Sequence, residues 1–199
     1  MKRLLDVALS GLGLIVSSPL WAVFAAAIKL EDGGPVFFRQ ERVGRNGRIF
    51  TALKFRSMRP DAEAASGALQ ASENDPRVTR VGRMMRATAM DELPQLWNIL
   101  AGDMSFVGPR ALRPGEIEAV GETAVRLEDV PGYEHRIRVT PGLTGIAQIY
   151  APRDVRRRHK FRYDRLYVRK QSWLLDARLI LLSFWISFLG TWEVRGKKY

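Results

Sequence analysis

An uncharged run of 22 residues, 7–28, constrains this chain more than any other feature of its sequence. As a straight helix it would be about 33 Å long, which is enough to cross a bilayer core of about 30 Å. The run follows Met1, Lys2 and Arg3, as the apolar part of a signal peptide would, but it is long and no clear small-residue cleavage site follows it. We therefore predict that residues 1–30 are a retained membrane segment and that residues 31–199 form the folded domain.

Two topologies fit this membrane segment. Pro19 lies near its middle and removes one helical hydrogen bond, while Ser17 and Ser18 can satisfy backbone groups that a break frees in lipid. Lys2 and Arg3 precede the run and nearly all other positive charge follows it, so the positive-inside rule favours both ends on the cytoplasmic face. A helix that enters, breaks at Ser18 and Pro19 and returns obeys that rule. A proline-kinked span does not, but such spans are common, and these arguments leave both topologies open.

A second apolar segment lies near the C-terminus. Its uncharged part, residues 179–192, has 14 residues and would be about 21 Å long as a helix, which is too short to span a bilayer. Trp173, Trp185 and Trp192 suit the depth of the lipid headgroups, so the pattern predicts an interfacial amphipathic helix. A buried core helix is the alternative.

The charge of the chain narrows the choice of partners. Lysine and arginine total 32 against 21 aspartate and glutamate residues, a formal net charge of +11, which calls for nucleic acid, a phosphate-bearing substrate or an acidic lipid surface. The chain has no cysteine and two histidines, so a disulfide framework is excluded and a zinc site would lack its usual ligands. A catalytic metal would have to be held by oxygen, as Mg²⁺ is.

Residues 153–170 hold most of this excess, with nine basic residues against Asp154 and Asp164. Apolar and aromatic side chains, among them Phe161 and Tyr167, recur within the stretch, so the pattern predicts an amphipathic basic helix. Such a helix suits anionic lipid headgroups. It equally suits a nucleic-acid backbone.

Between the two apolar segments the pattern predicts an α+β domain that is mostly helical and contains one small β-hairpin. Asn46 and Gly47 separate two segments rich in β-branched and aromatic residues, 36–43 and 48–58, which is typical of a hairpin. The other predicted elements are helices from Thr79 and from Asp91, an acidic surface helix at 116–128 and a short strand at 136–140.

An acid pair, Asp91 and Glu92, opens the second of these predicted helices. Acids in a first helical turn are usually explained by the helix dipole alone. Here Arg83 and Arg86 come just before the pair and a Gly-Pro loop carrying Arg110 follows it, which makes a plausible site for Mg²⁺-bound phosphate. A carboxylate is also a competent nucleophile toward phosphorus.

The order of motifs along the chain resembles that of the small monotopic phosphoglycosyl transferases, a family of bacterial sugar transferases. The likeness covers almost the whole chain. It is carried by S-S-P-L (17–20), P-V-F-F-R-Q-E-R-V-G (35–44), K-F-R-S-M (54–58), D-P-R-V-T-R-V-G-R (75–83), D-E-L-P-Q-L-W-N (91–98), G-D-M-S-F-V-G-P-R (102–110), T-P-G-L-T-G-I-A-Q (140–148), F-R-Y-D-R-L-Y-V (161–168) and W-L-L-D (173–176).

This resemblance implies a definite activity. Such enzymes move a phospho-sugar from a UDP-sugar to a polyprenol phosphate, undecaprenyl phosphate in bacteria, and release UMP with Mg²⁺ as cofactor. They act at the cytoplasmic face of the bacterial inner membrane, in the first membrane step of glycan assembly. Asp91 corresponds to the proposed nucleophile and metal ligand, and Glu92 to its partner.

The resemblance also bears on topology. A re-entrant helix-break-helix maps onto Ser18 and Pro19, with both termini cytoplasmic. Residues 31–199 then form the catalytic domain with its interfacial helices, and the chain corresponds to the minimal catalytic unit.

Further residues are candidates for binding the substrate. Lys54 and Arg56 share a face of a predicted strand and could contact a diphosphate, although solvated cations on a sheet are as common. Arg86 is a further phosphate candidate beside the acid pair, and Arg110 follows a tight Gly-Pro turn. The last two candidates, for the lining of the nucleotide pocket, are Thr144 and Gln148.

Two other classes of protein compete with this interpretation. A nucleic-acid-binding module would explain the net charge, but not the apolar N-terminal run or the tryptophan-rich C-terminal segment, so we expect no nucleic-acid partner. A membrane scaffold without catalysis would explain the helices but not an acid pair set between arginines. The sequence leaves open which UDP-sugar is used and whether the chain forms a homodimer.

Overall fold

Helices and short two-stranded sheets alternate along the computed structural model, which describes residues 1–62, 75–120, 123–152 and 155–192. The α-helices are α1 (Lys2–Asp32), α2 (Arg80–Ala87), α3 (Gln95–Ala101), α4 (Tyr133–Arg136), α5 (Ile146–Tyr150), α6 (Arg157–Lys170) and α7 (Trp173–Leu189). The strands are β1 (Phe37–Val43), β2 (Ile49–Phe55), β3 (Ser105–Val107), β4 (Ile117–Val120), β5 (Thr123–Arg126) and β6 (Gly142–Thr144). The predicted mixture of helix and sheet is confirmed.

β1 and β2 form the antiparallel hairpin that the sequence predicts. Phe37 lies opposite Phe55 at its open end. At the turn, Asn46 and Gly47 have positive φ angles of 55° and 80°, a conformation that these two residue types adopt more readily than others. The local turn signal was therefore sufficient to place this hairpin.

The other two sheets correct the predicted elements. Residues 116–128 do not form the predicted acidic helix, because β4 and β5 pair there as an antiparallel hairpin. Gly121 lies in that segment, and a glycine inside a helix costs about 1 kcal/mol relative to alanine. The strand predicted at 136–140 is also wrong, since α4 ends at Arg136 and the extended segment is β6, which pairs in parallel with β3.

Helix α1 continues without interruption through the predicted break. Pro19 has no amide hydrogen to donate to the carbonyl of Ile15, and the Ser18 hydroxyl donates to that oxygen instead at 2.8 Å. One residue earlier, Ser17 Oγ accepts a hydrogen bond from Trp21 Nε1 at 3.1 Å. The serine beside the proline thus replaces the missing hydrogen bond, and the helix does not end there.

The N-terminal turn of α1 is bound to the body of the protein. The ammonium group of Lys2 donates to the Val107 carbonyl and the Tyr167 hydroxyl, both at 3.0 Å, and pairs with the carboxylate of Asp176 on α7. Asp6, one turn further on, is buried and accepts hydrogen bonds on β3. These five polar contacts hold this end of α1 to the folded domain.

The C-terminal end of α1 is bound to the same body. The Glu31 carboxylate accepts hydrogen bonds from the first two amides of α2, those of Arg80 at 2.6 Å and Val81 at 3.1 Å. Asp32 pairs with both arms of the buried Arg56 guanidinium. Because both of its ends bind one domain, α1 lies along the surface of that domain and does not project from it.

Helix α1 is the one described helix that is long and apolar enough to cross a membrane, by length and composition only, and 17% of its most apolar window is buried. Much of the surface of this helix is apolar and exposed. Its large exposed side chains are Leu4, Leu5, Val7, Leu9, Leu12, Ile15, Val16, Leu20, Val23 and Leu30.

Helix α7 has one side in the core and one exposed apolar side, so each of the two predictions for the C-terminal segment describes one side of it. Leu179 and Ile186 are fully buried in the main hydrophobic core, as expected of a core helix. The opposite side exposes a set of large apolar residues, as expected of an interfacial helix: Trp173, Leu174, Leu181, Phe184, Trp185, Phe188 and Leu189. Together α1 and α7 give one domain two exposed apolar helix faces, which is the pattern of a membrane-binding surface.

Candidate active site

The acid pair lies in a short 3₁₀ turn between two helices. Asp91 and Glu92 belong to the turn Met90–Glu92, and helix α3 begins at Gln95, four residues later than the predicted start. The turn follows Ala89, whose φ of 57° is unusual for a residue with a side chain. This left-handed residue ends α2 and redirects the chain, so that both carboxylates line the same cavity.

Glu92 is held by two cations. Its Oε1 atom accepts hydrogen bonds from the Lys54 ammonium of β2 and from Arg110 Nη2 at 2.8 Å. Burial by itself would raise the pKa of Glu92, but Arg110 and Lys54 outweigh it and hold that pKa well below its usual range. Glu92 is therefore a permanent anion that fixes the two cations beside Asp91.

Asp91 has a different environment. It is nearly buried, and within the described part of the chain its carboxylate forms no hydrogen bond or ion pair with another residue, although it faces the cavity. Burial raises the pKa of Asp91 to about 6, and the positive charge of Lys54 opposes that rise. The nearby cations Lys54, Arg86 and Arg110 thus favour the ionised carboxylate and act against the effect of burial.

Arg110 is positioned by a buried ion pair that sequence reasoning missed. The Arg136 guanidinium donates one hydrogen bond to the Arg110 carbonyl and another, at 3.0 Å, to Asp164 of α6. It also lies 4.7 Å from the centre of the Phe161 ring. Arg136 is the last residue of α4 and lies close to His135 and Arg138 in the sequence, so nothing in its local sequence distinguishes it. Asp164 offered a signal, as one of two acids in the basic stretch.

Glycines allow the loop before Arg110 to cross a second loop at backbone contact. A Cβ atom on Gly142 would lie 2.0 Å from the amide nitrogen of Gly108, and one on Gly108 would lie 2.4 Å from the carbonyl oxygen of Thr140. The Gly108 amide donates to Thr144 O and the Gly142 amide to Pro109 O, each at 2.9 Å. This crossing explains why the G-P-R and T-P-G-L-T-G motifs occur together.

The remaining predicted substrate-binding residues line one cavity but differ in the groups that they contact. Arg56 is buried and its guanidinium binds Asp32 and two backbone carbonyls, so a phosphate there would have to displace those partners. Arg86 lines the cavity and lowers the pKa of Asp91. Thr144 accepts a hydrogen bond from Ser183 of α7, and Gln148 Nε2 donates to Gly108 O at 3.3 Å. All four side chains line the cavity, and their roles in substrate binding stay predictions.

The cavity has a volume of about 1010 Å³ and a strong excess of positive charge. Among the described residues, its acidic lining residues are Asp91, Glu92, Glu116 and Asp164. Its basic lining residues are Arg42, Lys54, Arg56, Arg59, Arg86, Arg110, Arg113, Arg136, Arg157 and Lys160. Such a lining favours a ligand with more than one phosphate group.

The carboxylate oxygens of the site suit a Mg²⁺ ion that substrate phosphates also bind. Within the described residues no group of three His, Cys, Asp or Glu side chains could hold a metal by itself. Mg²⁺ is commonly bound through one or two carboxylates together with substrate phosphates and waters. Asp91, with the second carboxylate oxygen of Glu92, provides donors of that kind, whereas no closed protein cage is present in this region.

A family model described as bacterial sugar transferase matches residues 1–190, nearly the entire chain. The chain belongs to the bacterial sugar transferase family. The resemblance seen in the motifs is therefore confirmed, and the acid pair and both crossing loops lie inside the matched region.

Individual bacterial sugar transferases are similar over most of this chain. It is 41% identical over 194 residues to UDP-glucose:undecaprenyl-phosphate glucose-1-phosphate transferase of Klebsiella pneumoniae, which covers 95% of this chain and 40% of that protein. It is 44% identical over 189 residues to undecaprenyl-phosphate glucose phosphotransferase of Komagataeibacter xylinus, with 92% and 35% covered. The exopolysaccharide production protein PSS of Rhizobium leguminosarum bv. phaseoli is 40% identical over 188 residues, with 90% and 91% covered. The chain thus spans well under half of the first two proteins and nearly all of the third.

Proposed function

We propose that this bacterial sugar transferase moves a sugar 1-phosphate from a UDP-sugar to a polyprenol phosphate and releases UMP. The observation that carries the proposal is the open Asp91 carboxylate, set beside the Lys54–Glu92–Arg110 cluster in a cationic cavity. Two relatives are named for transfer of glucose phosphate to undecaprenyl phosphate, which makes UDP-glucose the first donor to test and undecaprenyl phosphate the first acceptor.

The reaction would proceed in two displacements at one phosphorus atom. An Asp91 carboxylate oxygen attacks the β-phosphorus of the UDP-sugar, the bond to the bridging oxygen breaks, and its electron pair leaves on UMP. The product is an aspartyl phospho-sugar. A phosphate oxygen of the lipid then attacks the same phosphorus, and the Asp91 carboxylate leaves to give the polyprenyl diphosphate sugar. The absence of a direct partner for Asp91 among the described residues supports this role, because a nucleophile must keep its electron pair available.

The cations of the site have a separate task. Arg110 and Lys54 are held in place by Glu92 and carry the positive charge that the diphosphate requires. Bound Mg²⁺, for which Asp91 and Glu92 are the donors, would screen the repulsion between carboxylate and diphosphate and stabilise the leaving UMP. Glu92 is better suited to holding these groups than to accepting a proton, because its pKa lies well below its usual range.

We further propose that the protein inserts into the bacterial inner membrane from the cytoplasmic face alone. The attachment of both ends of the unbroken helix α1 to one domain supports an in-plane insertion, since a span would separate those ends by the thickness of the bilayer. Helix α6 supports contact with anionic headgroups, because it exposes the cations Arg158, Arg162, Arg165, Arg169 and Lys170. Arg153 and Asp154, which belong to the predicted basic stretch, lie outside the described residues.

This topology predicts that both termini are shielded from the periplasm. The chain has no cysteine, so single cysteines can be placed ahead of Met1 and at the exposed Arg48 without background. In intact spheroplasts a membrane-impermeant maleimide should label neither site, and it should label both once the membrane is opened. Labelling of the N-terminal cysteine alone in intact spheroplasts would show a spanning helix.

The activity itself is tested by UMP release. Purified protein is incubated with Mg²⁺, undecaprenyl phosphate and a panel of UDP-sugars that begins with UDP-glucose. We expect UMP and a lipid-linked sugar diphosphate in equal amounts from at least one donor. Release of UDP instead would indicate transfer of the sugar without its phosphate and would contradict the proposal.

A further inference from the structure

Helices α1 and α7 start together and reach a common element at their other ends. Lys2 in the first turn of α1 pairs with Asp176 in the first turn of α7. Beyond the end of α7, the Trp192 amide donates to the Ala87 carbonyl at the end of α2, at 3.2 Å. The C-terminal half of α1 packs against α2 in one hydrophobic cluster. The two helices are therefore linked near both of their ends, directly or through α2, with an opening between them.

The cavity of the active site extends into this opening. Leu12, Val16 and Leu20 of α1 line it, and their spacing of four residues places them on one side of that helix. Ile180 and Phe184 of α7 line it from the other side, with the same spacing. We call this region the interhelix slot. Leu12, Val16 and Phe184 are 59%, 69% and 66% exposed, so the slot is open along the apolar surface that α1 and α7 share.

The slot is continuous with the acid turn. Leu93, which follows Glu92 directly in the chain, and Leu96 in the first turn of α3 line the same cavity. The cavity thus has an apolar end between two exposed helices and a cationic end at Arg110. A ligand that matches both ends is an amphiphile with an anionic head and a long hydrocarbon chain.

We propose that the interhelix slot binds the isoprenoid chain of the polyprenol phosphate, with its phosphate toward Asp91. This assignment rests on the proposed function and adds the route of the acceptor. The lipid would enter sideways between α1 and α7 from the membrane, so its chain never has to cross water. The water-soluble donor would reach the same phosphorus from the cationic end.

Filling the slot tests the assignment. Val16→Trp adds a bulky ring inside the slot, and Ile15→Trp is its matched control, because Ile15 is the preceding residue, is 73% exposed and does not line the cavity. We expect Val16→Trp to raise the KM for undecaprenyl phosphate at least tenfold. The burst of UMP released from the UDP-sugar without lipid should stay within twofold of the unmodified protein. Ile15→Trp should change neither quantity by more than twofold.

The outcomes separate this proposal from the proposed function. If the unmodified protein gives no UMP burst, the covalent mechanism fails. If the burst is normal and Val16→Trp leaves the KM for the lipid unchanged, the slot assignment is wrong.

Photo-crosslinking decides the case in which Val16→Trp also loses the burst. Benzophenone groups are placed at position 16 or 15 and irradiated with radiolabelled undecaprenyl phosphate in phospholipid vesicles. Labelling at 16 that unlabelled undecaprenyl phosphate competes away, and that exceeds labelling at 15, supports the slot. Equal labelling at both positions, or labelling that is not competed, shows an ordinary bilayer contact and overturns the assignment.

Discussion

Replacement of Asp91 by asparagine is expected to abolish both UMP release and lipid glycosylation. The change keeps the size of the side chain but removes the negative charge and the nucleophilic electron pair that faces the cavity. Loss of the nucleophile in a covalent enzyme costs roughly 10⁴-fold or more in kcat. Asp129→Asn is the matched control, because Asp129 is exposed and does not line the cavity; it should retain full activity.

Chemical trapping distinguishes the two roles that Asp91 can have. With a UDP-sugar labelled in the sugar and no lipid, the label should remain on the peptide that contains Asp91, and kinetics with both substrates varied should be ping-pong. Intersecting double-reciprocal lines without trapped label would mean that the lipid phosphate attacks directly and that Asp91 is a metal ligand only.

Replacement of Arg136 by methionine is expected to destabilise the protein by about 3–5 kcal/mol. Arg136 and Asp164 form an ion pair whose side chains are 5% and 4% exposed, and removal of one partner leaves the other charge buried and unpaired. The free energy of unfolding can be measured by denaturant titration in detergent micelles. Arg138→Met is the matched control from the same segment, because Arg138 is exposed; it should change that free energy by no more than about 0.5 kcal/mol.

The lysine variant shows whether Arg136 also positions Arg110. Arg136→Lys keeps a cation beside Asp164 but loses the fork that reaches the Arg110 carbonyl at the same time. The loss of one charge-assisted hydrogen bond of about 1.5 kcal/mol corresponds to roughly a tenfold fall in the rate of UMP release. A purely structural role would lower stability in Arg136→Lys and leave the rate of the folded fraction unchanged.

Features that depend on neighbouring residues were predictable from the sequence. The β1–β2 hairpin follows from Asn46 and Gly47, whose backbone preference is local, and the apolar runs correspond to α1 and α7. The acid pair, which the sequence predicts as the centre of the site, lines the cavity together with several cations. By contrast, the acidic helix predicted over residues 116–128 is wrong, because pairing between β4 and β5 decides the structure of that segment.

Tertiary structure decided which partner each of several side chains of the same charge binds. Sequence reasoning treated Lys54 and Arg56 as equivalent cations on one strand, but Lys54 binds Glu92 beside Asp91 and Arg56 binds Asp32 at the end of α1. It gave Glu92 only the role of a partner to Asp91, and folding surrounds Glu92 with two cations and leaves Asp91 open to the cavity.

The sequence by itself determined the family and the two long apolar helices, because these depend on composition, local periodicity and uninterrupted motifs. The fold alone decided that both ends of α1 bind one domain and that Arg136 supports Arg110. Those contacts join residues more than 20 positions apart, and a side chain's long-range partner depends on how the whole chain packs, which no local pattern encodes. The opening between α1 and α7 exists for the same reason.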